Sequence, residues 1–320
     1  DLAIHIAALT EINNALIPAL THLHGELLGR AADFMSVVKT GRTHLQDATP
    51  IRLGQEFQGH AGQIERGIKR LNHVADSLTE VALGGTAVGT GVNTNPDFAK
   101  GVCKKLSKEL GFTIRETDNH FQAQSSLDAS VETSGALKTI AVSLMKIAND
   151  VRWLGSGPRG GIGEIALPEV QPGSSIMPGK VNPVIPESVC QVAAQVIGND
   201  TSIAVGGSSG NFELNVFKPV MIYNLLQSIR LISDGCESFE EHCARGIEAN
   251  RENIERHLKQ SLMLVTALNP HIGYDNAAKV AKKAHAENLT LRESAITLGL
   301  MSGEDFDGAV RPEEMTGPKA

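Results

Sequence analysis

Leu137-Lys138-Thr139-Ile140-Ala141-Val142-Ser143-Leu144-Met145-Lys146-Ile147-Ala148-Asn149-Asp150-Val151-Arg152-Trp153-Leu154 sets the fold class. Leu137, Ile140, Ala141, Leu144, Ile147, Ala148, Val151 and Leu154 recur at three and four residues, with Lys138, Lys146 and Asp150 between them. That spacing predicts a long helix with one apolar stripe. Ile64, Ile68, Leu71, Val74, Leu78 and Val81 repeat the pattern, and further long helices fit about 3 to 30, 186 to 205 and 216 to 246. Strand-like alternation is scarce. With only 4% aromatic residues, the chain reads as an all-α, long-helix bundle packed by aliphatic side chains. Each stripe is core rather than a cofactor site. Together the stripes exceed what one small bundle covers, so part of the apolar surface is expected to be buried between subunits.

A chain of 320 residues has room for two domains. The expected division is a central long-helix domain over 1–250 and a small helical C-terminal domain over 251–320. In the latter, Thr290 with Glu293 reads as a capping box and Ser302 with Asp305 repeats it, while Pro270 and Gly273 supply breaks. The first residue is Asp1, and the sequence runs straight into an apolar helical pattern. The expectation is therefore a piece of a longer polypeptide.

Composition excludes several classes. No run approaches ~20 uninterrupted apolar residues, so a membrane span is not expected. A formal charge of -7 argues against a nucleic-acid partner, because phosphate binding needs an excess of Lys and Arg on one face. Any positive charge at an anion site must come from local loops. Cys103, Cys190, Cys236 and Cys243 form no CxxC pair and read as reduced core thiols in a cytosol-like compartment. Cys236 and Cys243, seven apart, fall on one helix face. No HExxH is present, and no metal is expected.

Two glycine-rich loops, Gly84 to Gly91 and Gly155 to Gly163, follow helical segments, whereas a dinucleotide fingerprint follows a strand and opens a βαβ unit. A third loop is more specific: Gly173-Ser174-Ser175-Ile176-Met177-Pro178-Gly179-Lys180-Val181-Asn182-Pro183. It is no P-loop, since five residues separate Gly173 from Gly179 and Val181 follows the lysine where Ser or Thr is required. Its glycines let backbone N–H groups turn toward one point, and Lys180 adds a full positive charge. Pro183 and Pro186 favour a helix start, which aims a positive helix terminus at the same place. The loop is suited to surround a small oxyanion.

This loop resembles the signature of the fumarase/aspartase superfamily, lyases that remove a group β to a carboxylate and release fumarate. Gly41-Arg42-Thr43-His44-Leu45-Gln46-Asp47-Ala48-Thr49-Pro50 resembles a second active-site motif in its class II fumarase form. Aspartate ammonia-lyases usually carry Gln after the Thr, so His44 favours the hydratase over the ammonia-lyase. Similarity extends from about Ala3 to Arg311, through Gly84-Gly85-Thr86-Ala87-Val88-Gly89-Thr90-Gly91 and Asn211-Phe212-Glu213-Leu214-Asn215-Val216. The resemblance implies a homotetramer with active sites shared among three subunits, a fumarate or malate substrate and no cofactor. It implies a bacterial cytoplasm or a mitochondrial matrix as the location. Family members carry well over a hundred further residues upstream, with segments like Ser-Ser-Gly-Thr, His-Pro-Asn-Asp and Ser-Ser-Asn near the substrate. These 320 residues alone are thus expected to lack part of the site.

The implied chemistry explains the residue types. Taking a proton from the carbon next to a carboxylate builds a second negative charge, so the transition state needs fixed donors. Lys180 and Asn182 supply two. The resemblance assigns the proton acceptor to Ser174, whose alkoxide needs stabilisation by Lys180 and converging N–H groups. Ser175 is the rival that spacing alone does not separate. His44 suits protonation of the leaving hydroxyl, because a free imidazole exchanges its proton at about pH 6.5. The resemblance pairs it with Glu187 around a water and gives Thr43 a hydrogen bond to a substrate carboxylate. A non-catalytic protein on the same scaffold is the reading from another class.

Overall fold

The computed structural model describes residues 2–318. Helix α1 (Leu2–Glu11) continues through a π-helical turn (Ile12–Leu16) into α2 (Ile17–Asp33). An antiparallel hairpin follows, β1 (Val38–Thr43) and β2 (Gln46–Arg52), and then α3 (Leu53–Leu78). The short strand β3 (Glu80–Val81) pairs in parallel with β4 (Arg115–Glu116) around α4 (Phe98–Leu110). Next come α5 (His120–Ser125), α6 (Asp128–Leu154) and β5 (Ile165–Ala166). The long α7 (Val184–Gly207) and α8 (Lys218–His242) precede β6 (Glu248–Ala249), which pairs with β5. The last helices are α9 (Arg251–Gln260), α10 (Asn269–Ile272), α11 (Tyr274–Glu287), α12 (Leu291–Thr297) and α13 (Gly303–Ala309). The helical bundle is as the periodicity predicts.

The residues group into two compact units. The first gathers Asp1–Glu26, His60–Arg152 and Pro168–Gly246, the second Leu27–Gly59, Trp153–Leu167 and Ile247–Ala320. The chain-order division near residue 250 therefore captures one of the three segments of the second unit. Within the first unit α7 packs along α8, and α1 also packs on α8. Leu137, Ile140, Ala141, Leu144, Ile147, Ala148 and Val151 of the opening stretch are all buried. Gly67 of α3 lies where a Cβ would stand 3.0 Å from Ile140, so its lack of a side chain sets the approach of α3 to α6. Two buried polar contacts bridge neighbouring helices: Ser134 Oγ donates to Asp200 at 2.8 Å, and Asn199 donates to Ser228 Oγ at 3.0 Å.

One helical run, Leu2–Asp33, has the length and hydropathy to cross a membrane. Ile4, Ala8, Leu9, Ile12 and Leu16 on it are buried, as befits a core helix packed against α8. Cys103, Cys236 and Cys243 are buried free thiols, and burial pushes Cys236 and Cys243 up to about 12.

Within the second unit, Leu264, Leu268, Ala277, Val280, Ala284, Leu291, Ala295 and Phe306 form an apolar cluster of the C-terminal helices. The capping box of Thr290 and Glu293 is present, and Ser302 accepts from the Asp305 N–H at the start of α13. Strand β2 lies against the 3-10 segments Leu262–Leu268 and Pro312–Met315. Arg52 Nε donates to Thr316 Oγ1 at 3.1 Å, fastening the strand end to the C-terminal segment.

Candidate active site

The Gly41–Pro50 motif is a hairpin, an element that the scarcity of alternating residues did not predict. Thr43 pairs with Gln46, so His44 and Leu45 form the two-residue turn, with φ of 55° and 58°. A tight turn of this hand needs positive φ at both positions, and neither residue is glycine. Thr43, His44 and Leu45 are exposed at the tip. The register shifts between Thr40 and Arg42, and at Gly41 an added Cβ would stand 2.5 Å from the Thr49 carbonyl oxygen. Only glycine fits that close approach.

Below the tip lies an ionic cluster that sequence reasoning missed. The Glu164 side chain is fully buried. Its Oε1 accepts from Arg42 Nη2 at 2.7 Å and contacts His257 Nδ1 at 3.0 Å, while Oε2 accepts from Arg42 Nη1 at 3.0 Å. Lys39 Nζ stands 3.1 Å from Oε2 and donates to Glu56 Oε1 at 2.8 Å. Burial pulls the Glu164 carboxyl upward, but the Arg42 hydrogen bonds, the Lys39 charge and the His257 contact outweigh it and hold it below the ordinary range. For Glu56 burial wins over Lys39, and its carboxyl is raised. No local pattern announces this cluster, since Arg42 and Glu164 lie 122 residues apart.

The signature loop belongs to the first unit and closes on itself. The Ser174 N–H donates to the Lys180 carbonyl at 2.8 Å, and the Lys180 N–H to the Met177 carbonyl at 3.1 Å. A Cβ at Gly173 would stand 2.8 Å from the Lys180 carbonyl oxygen, and Gly179 has φ 81°. The N–H groups of Ile176 and Met177 both donate to Ser174 Oγ, at 3.2 Å each. Ser174 is half-buried, whereas Ser175 is exposed. The geometry thus separates two hydroxyls that spacing leaves equivalent. Across the loop, Lys180 Nζ donates to Asn182 Oδ1 at 2.7 Å. Helix α7 begins at Val184 immediately after the loop, with Glu187 in its first turn. The Glu187 Oε1 stands 3.7 Å from Arg152 Nη2 on α6.

The structure therefore brings Ser174, Lys180 and Asn182 into one loop, with Glu187 one turn into the adjoining helix. Thr43 and His44 lie on the hairpin of the second unit. In the Asn211–Val216 segment, buried Asn215 donates to the Gly206 carbonyl at 2.9 Å and accepts from the Phe217 N–H at 2.8 Å, which fixes the α7–α8 connection. The Gly84–Gly91 segment is a turn with left-handed φ at Gly84, Thr86, Gly89 and Gly91; it follows β3, a strand of two residues.

Residues 1–198 match the family described as Lyase, and residues 264–317 match the Fumarase C C-terminus. The chain is 57% identical over 314 residues to a class II fumarate hydratase of Nitrosomonas europaea, covering 98% of this chain and 68% of that protein. It is 57% identical to the mitochondrial fumarate hydratase 1 of Arabidopsis thaliana, of which it covers 64%. The crystal structure of class II fumarase from Schistosoma mansoni superposes with a TM-score of 0.97 at 39% identity, over 99% of this chain and 70% of that one. The chain spans about two thirds of the length of these relatives. With this agreement in sequence and fold, the chain belongs to the class II fumarate hydratase family of lyases.

Proposed function

We propose that this chain contributes to a site for the reversible hydration of fumarate to (S)-malate, with Ser174 as the proton acceptor. The observation that carries this assignment is the pair of N–H bonds onto Ser174 Oγ from Ile176 and Met177. An alkoxide there keeps two donors already aimed at it, which lowers the cost of deprotonating an alcohol. In the dehydration direction Ser174 Oγ takes the proton from the carbon next to a carboxylate. The electron pair moves onto that carboxylate, making a dianion that Lys180 and Asn182 stabilise. Collapse of the dianion forms the double bond and expels the hydroxyl, which leaves as water with a proton delivered through a water held by His44 and Glu187. Thr43 donates to a substrate carboxylate.

We place His44 and Glu187 in one site through assembly, as a homotetramer whose sites draw on several subunits, which is what the family resemblance implies. Exposed apolar side chains on α7 and α8 support this, with Val205 58%, Val220 42% and Tyr223 67% accessible in the single chain. The location follows the relatives: a bacterial cytoplasm, or a mitochondrial matrix in a eukaryote.

The test uses the full-length enzyme. Malate and aspartate are supplied separately and fumarate is followed by absorbance; formation from malate is expected, and a response to aspartate alone overturns the hydratase reading. Ser174→Ala is expected to lower kcat by about 10³-fold with the fold retained. Ser175→Ala is expected to stay near the parent value, and the reverse pattern reassigns the base.

A further inference from the structure

We propose that Glu164 is a positioning residue for catalysis, a buried carboxylate that fixes the base of the hairpin presenting Thr43 and His44. The inference rests on the reading of His44 as the group managing the leaving hydroxyl.

Three observations converge. First, the His44–Leu45 turn is left-handed at two non-glycine residues, a backbone state that costs energy and persists only where its surroundings hold it. Second, Arg42 precedes the turn by one residue pair and is gripped at both terminal nitrogens by the two oxygens of Glu164. A two-point planar clasp fixes the direction of β1 as well as its distance. Third, Lys39 of the same strand reaches the same carboxylate. Side chains three apart on an unbroken strand point to opposite faces. The register shift between Thr40 and Arg42 re-aims them so that both cations converge.

Glu164 is itself anchored. Its N–H donates to the Leu154 carbonyl at 2.8 Å, its carbonyl accepts from the Asn250 N–H at 2.9 Å, and Oε1 contacts His257 of α9. The carboxylate thus ties the hairpin to the segment after α6 and to α9. Both cations remain buried or half-buried, so removing the Glu164 charge strips them of the carboxylate they share and leaves Glu56 beside Lys39 and the charges of Asp47 and Glu56 near Arg42. Displacement of Arg42 passes directly into the turn.

A double-mutant cycle in the full-length enzyme tests this. His44→Asn alone is expected to lower kcat; an unchanged kcat removes the role of His44, and this proposal with it. Glu164→Gln in the parent is expected to lower kcat on the order of 10²-fold. In the His44→Asn background the same change is expected to cost no more than about 2-fold, because the positioned group is already gone. Equal losses in both backgrounds overturn the positioning role while leaving the function of His44 intact, so the two failures are distinct. If Glu164→Gln does not fold, His257→Ala removes one contact from Oε1 at the accessible edge of the cluster. It is expected to lower kcat by about 10-fold in the parent and not in His44→Asn. An unchanged parent kcat for His257→Ala, or equal loss in both backgrounds, overturns the proposal.

Discussion

A serine hydroxyl accepts a proton from carbon only where its conjugate base is sheltered, and Ser174 has two amide N–H groups directed at its oxygen. The residue types needed for this chemistry are legible in the sequence, since hydroxyl, ammonium and amide fall within one loop. Which of the two hydroxyls, Ser174 or Ser175, collects these N–H groups is not, because it depends on which way the turn after Pro172 closes. A second residue-scale property was equally hidden. His60 on α3 is buried, and burial, with help from the Lys146 charge and against that of Asp150, pushes its imidazole down to about 4. In the unfolded chain the same group titrates near ~6.5. Between these values the unfolded state binds a proton that the native state refuses, so stability is complete above about pH 6.5 and falls as pH drops toward 4. The loss through this one group is expected to be on the order of 3 kcal/mol. Urea midpoints measured from pH 7 to 4 check it: His60→Gln is expected to flatten the slope.

Elements declare themselves through period, and here the long helices do while the hairpin does not. Val38-Lys39-Thr40-Gly41-Arg42-Thr43 carries charges at two positions that fold inward, so its pattern reads as polar although Lys39 and Thr40 are buried. Tertiary pairing with Glu164 and Glu56 makes those charges buriable, and a local reading has no access to it. Glycines on α3 illustrate the same dependence on context. At Gly54 an added Cβ would stand 2.4 Å from the Ala31 carbonyl oxygen and 2.7 Å from the Met35 backbone, while at Gly59 nothing lies within 4 Å. Gly54→Ala is accordingly expected to destabilise the second unit by about 3 kcal/mol. Gly59→Ala is expected to stabilise α3 by up to about 1 kcal/mol through reduced backbone freedom in the unfolded chain. Thermal unfolding of the two variants side by side decides; equal effects contradict the steric account.

At the scale of the whole molecule, the bundle class follows from the helical stripes, but the grouping of segments does not. The second unit is assembled from Leu27–Gly59, Trp153–Leu167 and Ile247–Ala320, which only the completed fold reveals as neighbours. The β5–β6 pairing of Ile165 with Ala249 and the packing of β2 on Leu262–Leu268 join these pieces. Assembly is the remaining level. Val205→Asp with Tyr223→Asp places charge on the exposed apolar face of α7 and α8. This pair is expected to give a helical monomer, by sedimentation and circular dichroism, that has lost fumarase activity. A fully active monomer refutes the shared-site reading.

Interleaved connectivity also bears on biosynthesis. Strands β1 and β2 leave the ribosome long before the segments Leu262–Leu268 and Pro312–Met315 against which β2 packs. Loop-closure entropy on that scale must be overcome before those contacts form. Until those segments emerge β2 lacks these packing partners, and ribosome-bound chains arrested before residue 262 should show its backbone more open to protease than chains in which both segments have emerged.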